Sequence, residues 1–376
     1  MDNRNLNKAT TIHIFGKKVT KLKSKKINCS KEKRCRFFFL KKEKYFHSKF
    51  FKLLIIVLFL DFILLNINKI ERHNNINSRN KLWFITCYFG VDKIKRNDRI
   101  RKYLYVLDKF VPYAKVIFGI SEFTKIDPII TKNENIRIKI ERFGNETKDY
   151  IRSKYKSSSR FYFNGMRYYF YTQYLKKHRQ IKYVVISDDD TLFFRDPFPI
   201  IAKDPTIVHI MEDIYPFSVT KDFNYIWTNA WACLDKKIKE KCGFNHWNKS
   251  LSSDEFKNLI PLNCGLLIGQ SKNIIKIVEL ISTRFICSGM FHNNAEQGLL
   301  NYLDLSGELK ELGISIKRHN IYKNSFISCP ELLPIENYIQ QINSEHFIAL
   351  HHYHKLKENY IEKTPNKFKL YLNKSF

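Results

Sequence analysis

The sequence predicts an α/β fold with a mainly parallel central sheet flanked by helices, carried by residues 81–376. Three observations predict it. Short apolar runs rich in Ile, Val and Phe alternate with longer helix-like segments, which is the rhythm of strand–helix–strand units. The apolar run Tyr183–Ser187 ends abruptly in three aspartates, as strands do where they deliver side chains to the rim of an open sheet. With 44% hydrophobic and 15% aromatic residues, the chain has enough apolar material to fill one large core.

The elements follow in order. Leu82–Cys87 (LWFITC) is a buried-strand run, Asn97 can cap a helix through Phe110, and Ala114–Ile120 is a second strand. Ile136–Ile140 is a possible third strand. An aromatic helix over about Phe161–His178 leads to the strand Tyr183–Ser187 (YVVIS), and Thr206–Met211 is another short strand. Residues 215–259 show little periodicity and read as long loops beside the site. Beyond them come a strand at Leu262–Ile268, helices at Ser271–Ile286 and Ala295–Leu303, and a late strand at Phe347–Leu350.

The amino-terminal part has a different texture. Residues 1–67 hold 17 Lys or Arg against 4 acids, net +13, and the other 309 residues hold 49 against 32, net +17. Within residues 50–67 the run FFKLLIIVLFLDFILLNI matches the length of a bilayer-spanning helix, with Lys52 able to snorkel to the headgroups. Asp61 opposes insertion by ~2.5 to 3.5 kcal/mol, which the flanking apolar residues can offset. The positive-inside rule puts the basic head in the cytoplasm. The expected organisation is a cytoplasmic tail at 1–49, a signal-anchor helix at 50–67, a polar stem at 68–80 and a luminal domain at 81–376, a single-pass type II arrangement in the endoplasmic reticulum or Golgi membrane.

The net charge of +30 does not by itself make a nucleic-acid binder. No helix-turn-helix pattern, paired Cys/His finger or RNP-like motif accompanies it, so no nucleic-acid partner is expected. Six cysteines fall after residue 80, where a lumen permits disulfides, and Cys233 with Cys242 is the preferred pair. The sequons at Asn145, Asn248 and Asn373 agree with a secretory route.

The chemistry concentrates in YVVISDDDTLFFRDPF, residues 183–198. Asp188, Asp189 and Asp190 repel one another unless a divalent cation, manganese or magnesium, sits among their hard oxygen donors. An acidic turn capping the next helix is the competing reading. This strand-to-aspartate motif, followed by Arg-Asp-Pro-Phe, resembles the nucleotide-sugar glycosyltransferases of the GT-A fold, a Rossmann-like nucleotide-diphospho-sugar transferase fold, particularly the glycogenin-like and lipopolysaccharide-galactosyltransferase-like groups. Leu262–Leu267 (LNCGLL) resembles that family's Asn-x-Gly strand, Glu296-Gln297 its Asp-Gln pair, and His351-His352 its late histidine ligand. The chain carries Glu296 where the family has Asp, and it lacks the Gly and Lys-Pro-Trp run after the histidine.

The resemblance covers residues 82 to about 357 and implies roles. Asp188 and Asp190, with His351 and His352, would hold the metal, and Asp188 would alternatively reach the ribose. Asp189 would belong to the donor site. Thr86, Cys87 and Tyr88 would border the base, and Arg167 the donor phosphates, unless its stem merely covers the aromatic helix. Asn263 and Gly265 would line the sugar, with Glu296 and Gln297 facing its hydroxyls or reacting carbon. His354 belongs to the same polar cluster. Glu212 and Asp213 read as a solvated turn rather than as catalytic acids, and Trp227, Trp231 and Trp247 as core or as acceptor-stacking residues.

The activity these signs imply is transfer of a hexose, UDP-linked for preference, to a glycan, glycoprotein or glycolipid. Two other classes compete: a sugar-phosphate transferase resembling the Stealth or LicD proteins, and a non-catalytic membrane-anchored carbohydrate-binding protein on the same fold.

Overall fold

In the computed structural model the apolar runs become strands whose side chains alternate between two cores. The structure describes residues 56–64 (apart from 58 and 62), 82–88, 94–121, 137–143, 162–219, 224–244, 254–290, 294–319 and 325–373. The chain divides into two units, residues 1–71 and 72–376. In the first, the described residues of 56–64 are helical, and Ile56, Val57, Phe59, Leu60, Ile63 and Leu64 are exposed. The rest of the expected anchor at 50–67 lies outside the described residues. Among the described residues no helix is long and apolar enough to cross a membrane.

The second unit runs β1 (Leu82–Tyr88), α1 (Ile94–Phe110), β2 (Lys115–Ser121), β3 (Arg137–Phe143), α2 (Tyr162–Lys177), β4 (Tyr183–Ser187), β5 (Thr191–Phe193), α3 (Phe198–Lys203) and β6 (Ile207–Glu212). There follow α4 (Asn224–Ala232), α5 (Lys236–Lys241), α6 (Asp254–Lys257), β7 (Leu262–Gln270), α7 (Ser271–Ser288), α8 (Ala295–Leu305), α9 (Glu308–Glu311), β8 (Ser315–His319) and β9 (Phe326–Ile327). The last elements are α10 (Ile335–Ile342), β10 (Ala349–His351), α11 (Glu358–Lys363) and α12 (Asn366–Asn373).

Seven strands form the main sheet in the order β3-β2-β1-β4-β7-β6-β8. All its pairings are parallel except the two made by β7, which runs against β4 and β6. The fold is therefore α/β with a mostly parallel sheet flanked by helices. Ile85, Ile117, Val184, Ile186 and Leu267 face the core that holds α2, α7 and α8, while Phe84, Val116, Phe118, Tyr183, Val185, Leu266 and Ile268 face the core that holds α1 and α3. Period-two alternation with both faces apolar is what two helical layers require. Fully burying one such side chain is worth about 1.5 to 3 kcal/mol, so the double-sided strands carry much of the stability.

A second, three-stranded sheet, β5-β10-β9, stands on a separate core with α10, α11 and α12. Its β5–β10 pairing is antiparallel and sets His351 opposite Thr191.

Several expectations are corrected. The first helix begins at Ile94, ahead of Asn97. The expected loops at 215–259 contain α4, α5 and α6. Of the two readings open for Trp231 the structure takes the core one, for it is fully buried and its indole N–H donates to Ala295 O at 2.7 Å; Trp247 lies outside the described residues. The disulfide is Cys242–Cys287, with Cys233 exposed and free. Cys242 caps α5 on its buried side, against α7, while Cys233 follows the end of α4 and points to solvent. Sequence proximity favoured the wrong partner because packing α5 on α7 is a tertiary event.

Closing a loop of 45 residues predicts about 4 kcal/mol of stabilisation in the chain-entropy treatment. Replacing Cys242 and Cys287 together by Ser should lower the unfolding free energy by ~2 to 4 kcal/mol in a denaturant titration. A non-reducing peptide map should link the two.

His209 and His319 pair between β6 and β8, with His209 Nδ1 2.8 Å from His319 Nε2. Burial and the charge of Lys317 press His209 down to about 4. Its folded form stays neutral where the unfolded ring takes a proton, so this site subtracts stability as pH falls from about 6.5 toward 4. A His209→Gln variant should show a shallower acid-side decline in melting temperature than the native chain.

Candidate functional site

β4 lies between β1 and β7, so its carboxyl end opens at the rim where parallel strands deliver ligand-binding groups. The chain turns at once: Thr191 N donates to Asp188 O at 3.1 Å, and Asp188 N donates to Gly265 O of β7 at 3.0 Å. Tyr103 of α1 braces the strand end from below, its hydroxyl 2.9 Å from Ser187 Oγ. The turn sends Asp188 toward α2 and Asp190 toward β10.

Asp190 is buried and faces three imidazoles. His351 Nδ1 stands 3.2 Å from its Oδ1, and His354 Nδ1 and His352 Nε2 stand 3.3 and 3.9 Å from its Oδ2. Thr191 Oγ1 already engages His351 Nδ1 at 2.9 Å, and Asp190 Oδ1 has no hydrogen-bond partner among the described residues. Burial works against ionisation of Asp190, but the facing His351, His352 and His354 outweigh it and hold the carboxyl far below its usual range. His351 is also desolvated, yet the Asp190 charge raises it above an ordinary histidine. Burial and the neighbouring His351 hold His352 down to about 2, and burial holds His354 near 4. His352 adopts a left-handed backbone (φ 55°), a strain of about 1 to 3 kcal/mol that non-glycine residues keep chiefly at functional sites.

Asp190, His351 and His352 bring one donor atom each within 4.8 Å of the others, a donor set able to hold a divalent cation. Gly265 makes room for it. A Cβ there would stand 2.7 Å from His351 Cε1 and Nε2 and 2.9 Å from Asn263 Oδ1.

Asp188 turns away from this set. Its Oδ1 accepts from Arg167 Nη1 at 2.5 Å, and Arg167 Nη2 reaches Cys264 Sγ at 3.1 Å and Glu296 Oε1 at 3.5 Å. The guanidinium thus ties α2 to β4, β7 and α8. Burial opposes its charge and Asp188 more than restores it, while burial pushes the Glu296 carboxyl up against the pull of Arg167.

A third group centres on Asp213, just after β6. Its Oδ1 accepts from Asn263 Nδ2 at 2.7 Å and Ser328 Oγ at 3.0 Å, and its Oδ2 from Asn224 Nδ2 at 2.5 Å and Gln297 Nε2 at 3.0 Å. Gln297 is set by close packing of α8 on α4: a Cβ on Gly298 would lie 2.7 Å from the Trp227 carbonyl carbon. One turn on, Asn301 pins α8 to β7 through the Leu262 backbone in both directions.

The structure therefore joins Asp190 with His351 and His352, Asp188 with Arg167 and Glu296, and Asn263 with Gln297. Asp189 is buried beside them. Thr86 and Cys87 end β1 on the neighbouring strand; Thr86 Oγ1 is buried without a hydrogen-bond partner among the described residues, and Cys87 packs against Gly119. The side chain of Tyr88 lies outside the described residues. Glu212 and Asp213 form no solvated turn, for both are buried, Glu212 being paired with Arg318. Asp213 carried the same signal as the three aspartates, an acid at the end of an apolar strand, but its four partners come from four distant segments. Asn224 and Ser328 carried no signal.

No protein-family model matches the chain, and no curated protein matches it.

Gly265→Ala should push His351 off Asp190. The expected result is about tenfold or greater weakening of Mn2+ binding by calorimetry, the range seen when a ligand loses its support, with Asp188→Asn as a comparison that leaves the Asp190 set in place.

Proposed function

We propose that the chain is a metal-dependent glycosyltransferase that moves a hexose from a nucleoside-diphosphate sugar, UDP-linked for preference, to a glycan, glycoprotein or glycolipid hydroxyl, and that its fold is of the GT-A kind. One observation carries the reading: a buried, ionised Asp190 faces three histidines at the carboxyl rim of a parallel sheet, and Asp190, His351 and His352 bring one donor atom each within 4.8 Å of the others. A buried carboxylate among imidazoles is a seat for a divalent cation, which takes the place of the ring protons when it binds.

The donor set fits that cation. Two ligands on one ion at ~2.1 Å each stand roughly 3 Å apart; Asp190 Oδ1 and His351 Nδ1 stand 3.2 Å apart, and a cation between them would take the place of the Thr191 hydroxyl on that nitrogen. Asp190, His351 and His352 would hold it, and imidazole donors favour manganese over magnesium. When bound, such an ion stabilises the charge that develops on a departing diphosphate.

The remaining residues position the donor. Arg167, held by Asp188 and Glu296, places a fixed positive charge beside the acids, suited to phosphate oxygens. Asp213 orients the amides of Asn224, Asn263 and Gln297 into a preorganised polar wall that suits sugar hydroxyls. The Cys242–Cys287 disulfide supports a luminal domain, since cytosolic thiols stay reduced. With residues 50–67 as anchor, the enzyme would face the lumen of the endoplasmic reticulum or Golgi.

The test measures release of nucleoside diphosphate from a panel of nucleotide-sugars by the full chain. Release should require Mn2+ and fall by roughly 1,000-fold or more in Asp190→Ala, matching the several kcal/mol a metal contributes. Nucleoside monophosphate as the product would instead assign sugar-phosphate transfer. Metal-independent glycan binding without release would assign the carbohydrate-binding class.

A further inference from the structure

The ring of His352 faces two different groups. Its Nε2 points to Asp190, and its Nδ1 stands 3.3 Å from Cys329 Sγ. Cys329, Glu331 and His352 bring one donor atom each within 4.8 Å of the others, a set separate from that of Asp190 and His351 apart from the shared imidazole. Cys329 is a free thiol, half-buried at the end of the β9 segment. Glu331 Oε2 is buried with no hydrogen-bond partner among the described residues. A positive charge already visits the place: Lys355 Nζ stands 3.2 Å from His352 Nδ1 and 3.6 Å from Glu331 Oε1. The Lys355 side chain is 44% exposed, so it can withdraw into solvent when another cation arrives.

We infer that Cys329, Glu331 and His352 form a second cation site, suited to zinc, which competes with the Asp190–His351 centre for the ring of His352. The inference rests on the reading of that centre as a metal site, and it names how the centre is regulated. A sulfur, a nitrogen and a carboxylate oxygen are the ligands zinc takes, whereas manganese and magnesium prefer oxygen. The thiol proton leaves to solvent as the sulfur–zinc bond forms. A neutral imidazole has one lone pair. When Nδ1 donates it to zinc, Nε2 carries the hydrogen and can only donate a hydrogen bond toward Asp190. When Nε2 holds the first cation, Nδ1 carries the hydrogen and faces Cys329 and Glu331. Zinc at the second site therefore removes a ligand from the first.

Cobalt(II) is the probe for the second site in the full chain, because a cobalt–thiolate bond gives a charge-transfer absorption band. The band should appear in the native chain and in Asp190→Ala, and be lost in Cys329→Ser and weakened in Glu331→Gln, all checked for native melting. One equivalent of Zn2+ should weaken Mn2+ binding, followed by the electron paramagnetic resonance of free Mn2+, about tenfold more in the native chain than in Cys329→Ser, where zinc competes only at the first centre, and equal weakening in the two chains overturns the sharing of His352. No band in the native chain, or an undiminished band in Cys329→Ser, overturns the site. A band with Mn2+ binding indifferent to zinc overturns the sharing of His352. If Mn2+ never binds while Asp190→Ala keeps the band, the second site stands and the reading of the first as a metal centre falls.

Discussion

The candidate site depends on a strand pairing of three residues. β5 begins directly after the aspartates, and its antiparallel partner β10 ends in His351, so the register that sets Thr191 opposite His351 also sets the ring beside Asp190. The pairing joins positions 160 residues apart and is buttressed by a separate apolar core, where Phe194 and Phe347 stack. Closing so long a loop costs entropy only slowly with length, and the buried aromatics offset it. Without that second core the histidines would have no fixed relation to the sheet, and Asp190 would lose its imidazole partners.

The same pairing explains how charge is distributed. Three adjacent aspartates cannot share one environment, and the turn after β4 separates them. Asp188 meets a guanidinium, Asp190 meets imidazoles, and Asp213 just after β6 meets neutral amides and a hydroxyl. Each of these carboxylates thus has a different kind of partner, and under the proposed function the three kinds would suit three tasks: ordering a cation beside phosphate, holding a metal, and orienting hydroxyl-binding groups. Gly265 serves two of these sites, since the room it leaves admits the ring of His351 and its N–H donates to Asn263 Oδ1 at 2.7 Å.

Strands at 82, 115, 183 and 262 and helices at 162, 271 and 295 were legible because burial on two faces leaves a nearly continuous apolar run, and a helix between layers leaves a longer one. What escaped were short elements stabilised from outside themselves. β5, β8 and β9 have two to five residues each, too few to carry a periodic signal, whereas the late strand expected at Phe347–Leu350 overlaps β10. α4 and α5 lie in a stretch whose aromatics gave no clear period, and it is their packing on α8 and α7 that holds them helical. The disulfide was misassigned for the same reason, as the nearer cysteine in sequence is the farther one in space.

By itself the sequence determined the α/β alternation, the position of the acids at a strand end and the residue types available to them, because local periodicity and side-chain chemistry are properties of short segments. Only the tertiary structure decided that Asp190 rather than Asp188 meets the histidines, that Arg167 binds carboxylates from two elements, and that Asp213 gathers four partners from four segments. Those pairings depend on how sheets and helices dock segments that lie from 11 to more than a hundred residues apart, and such docking is set by the summed packing of both cores rather than by any segment within them.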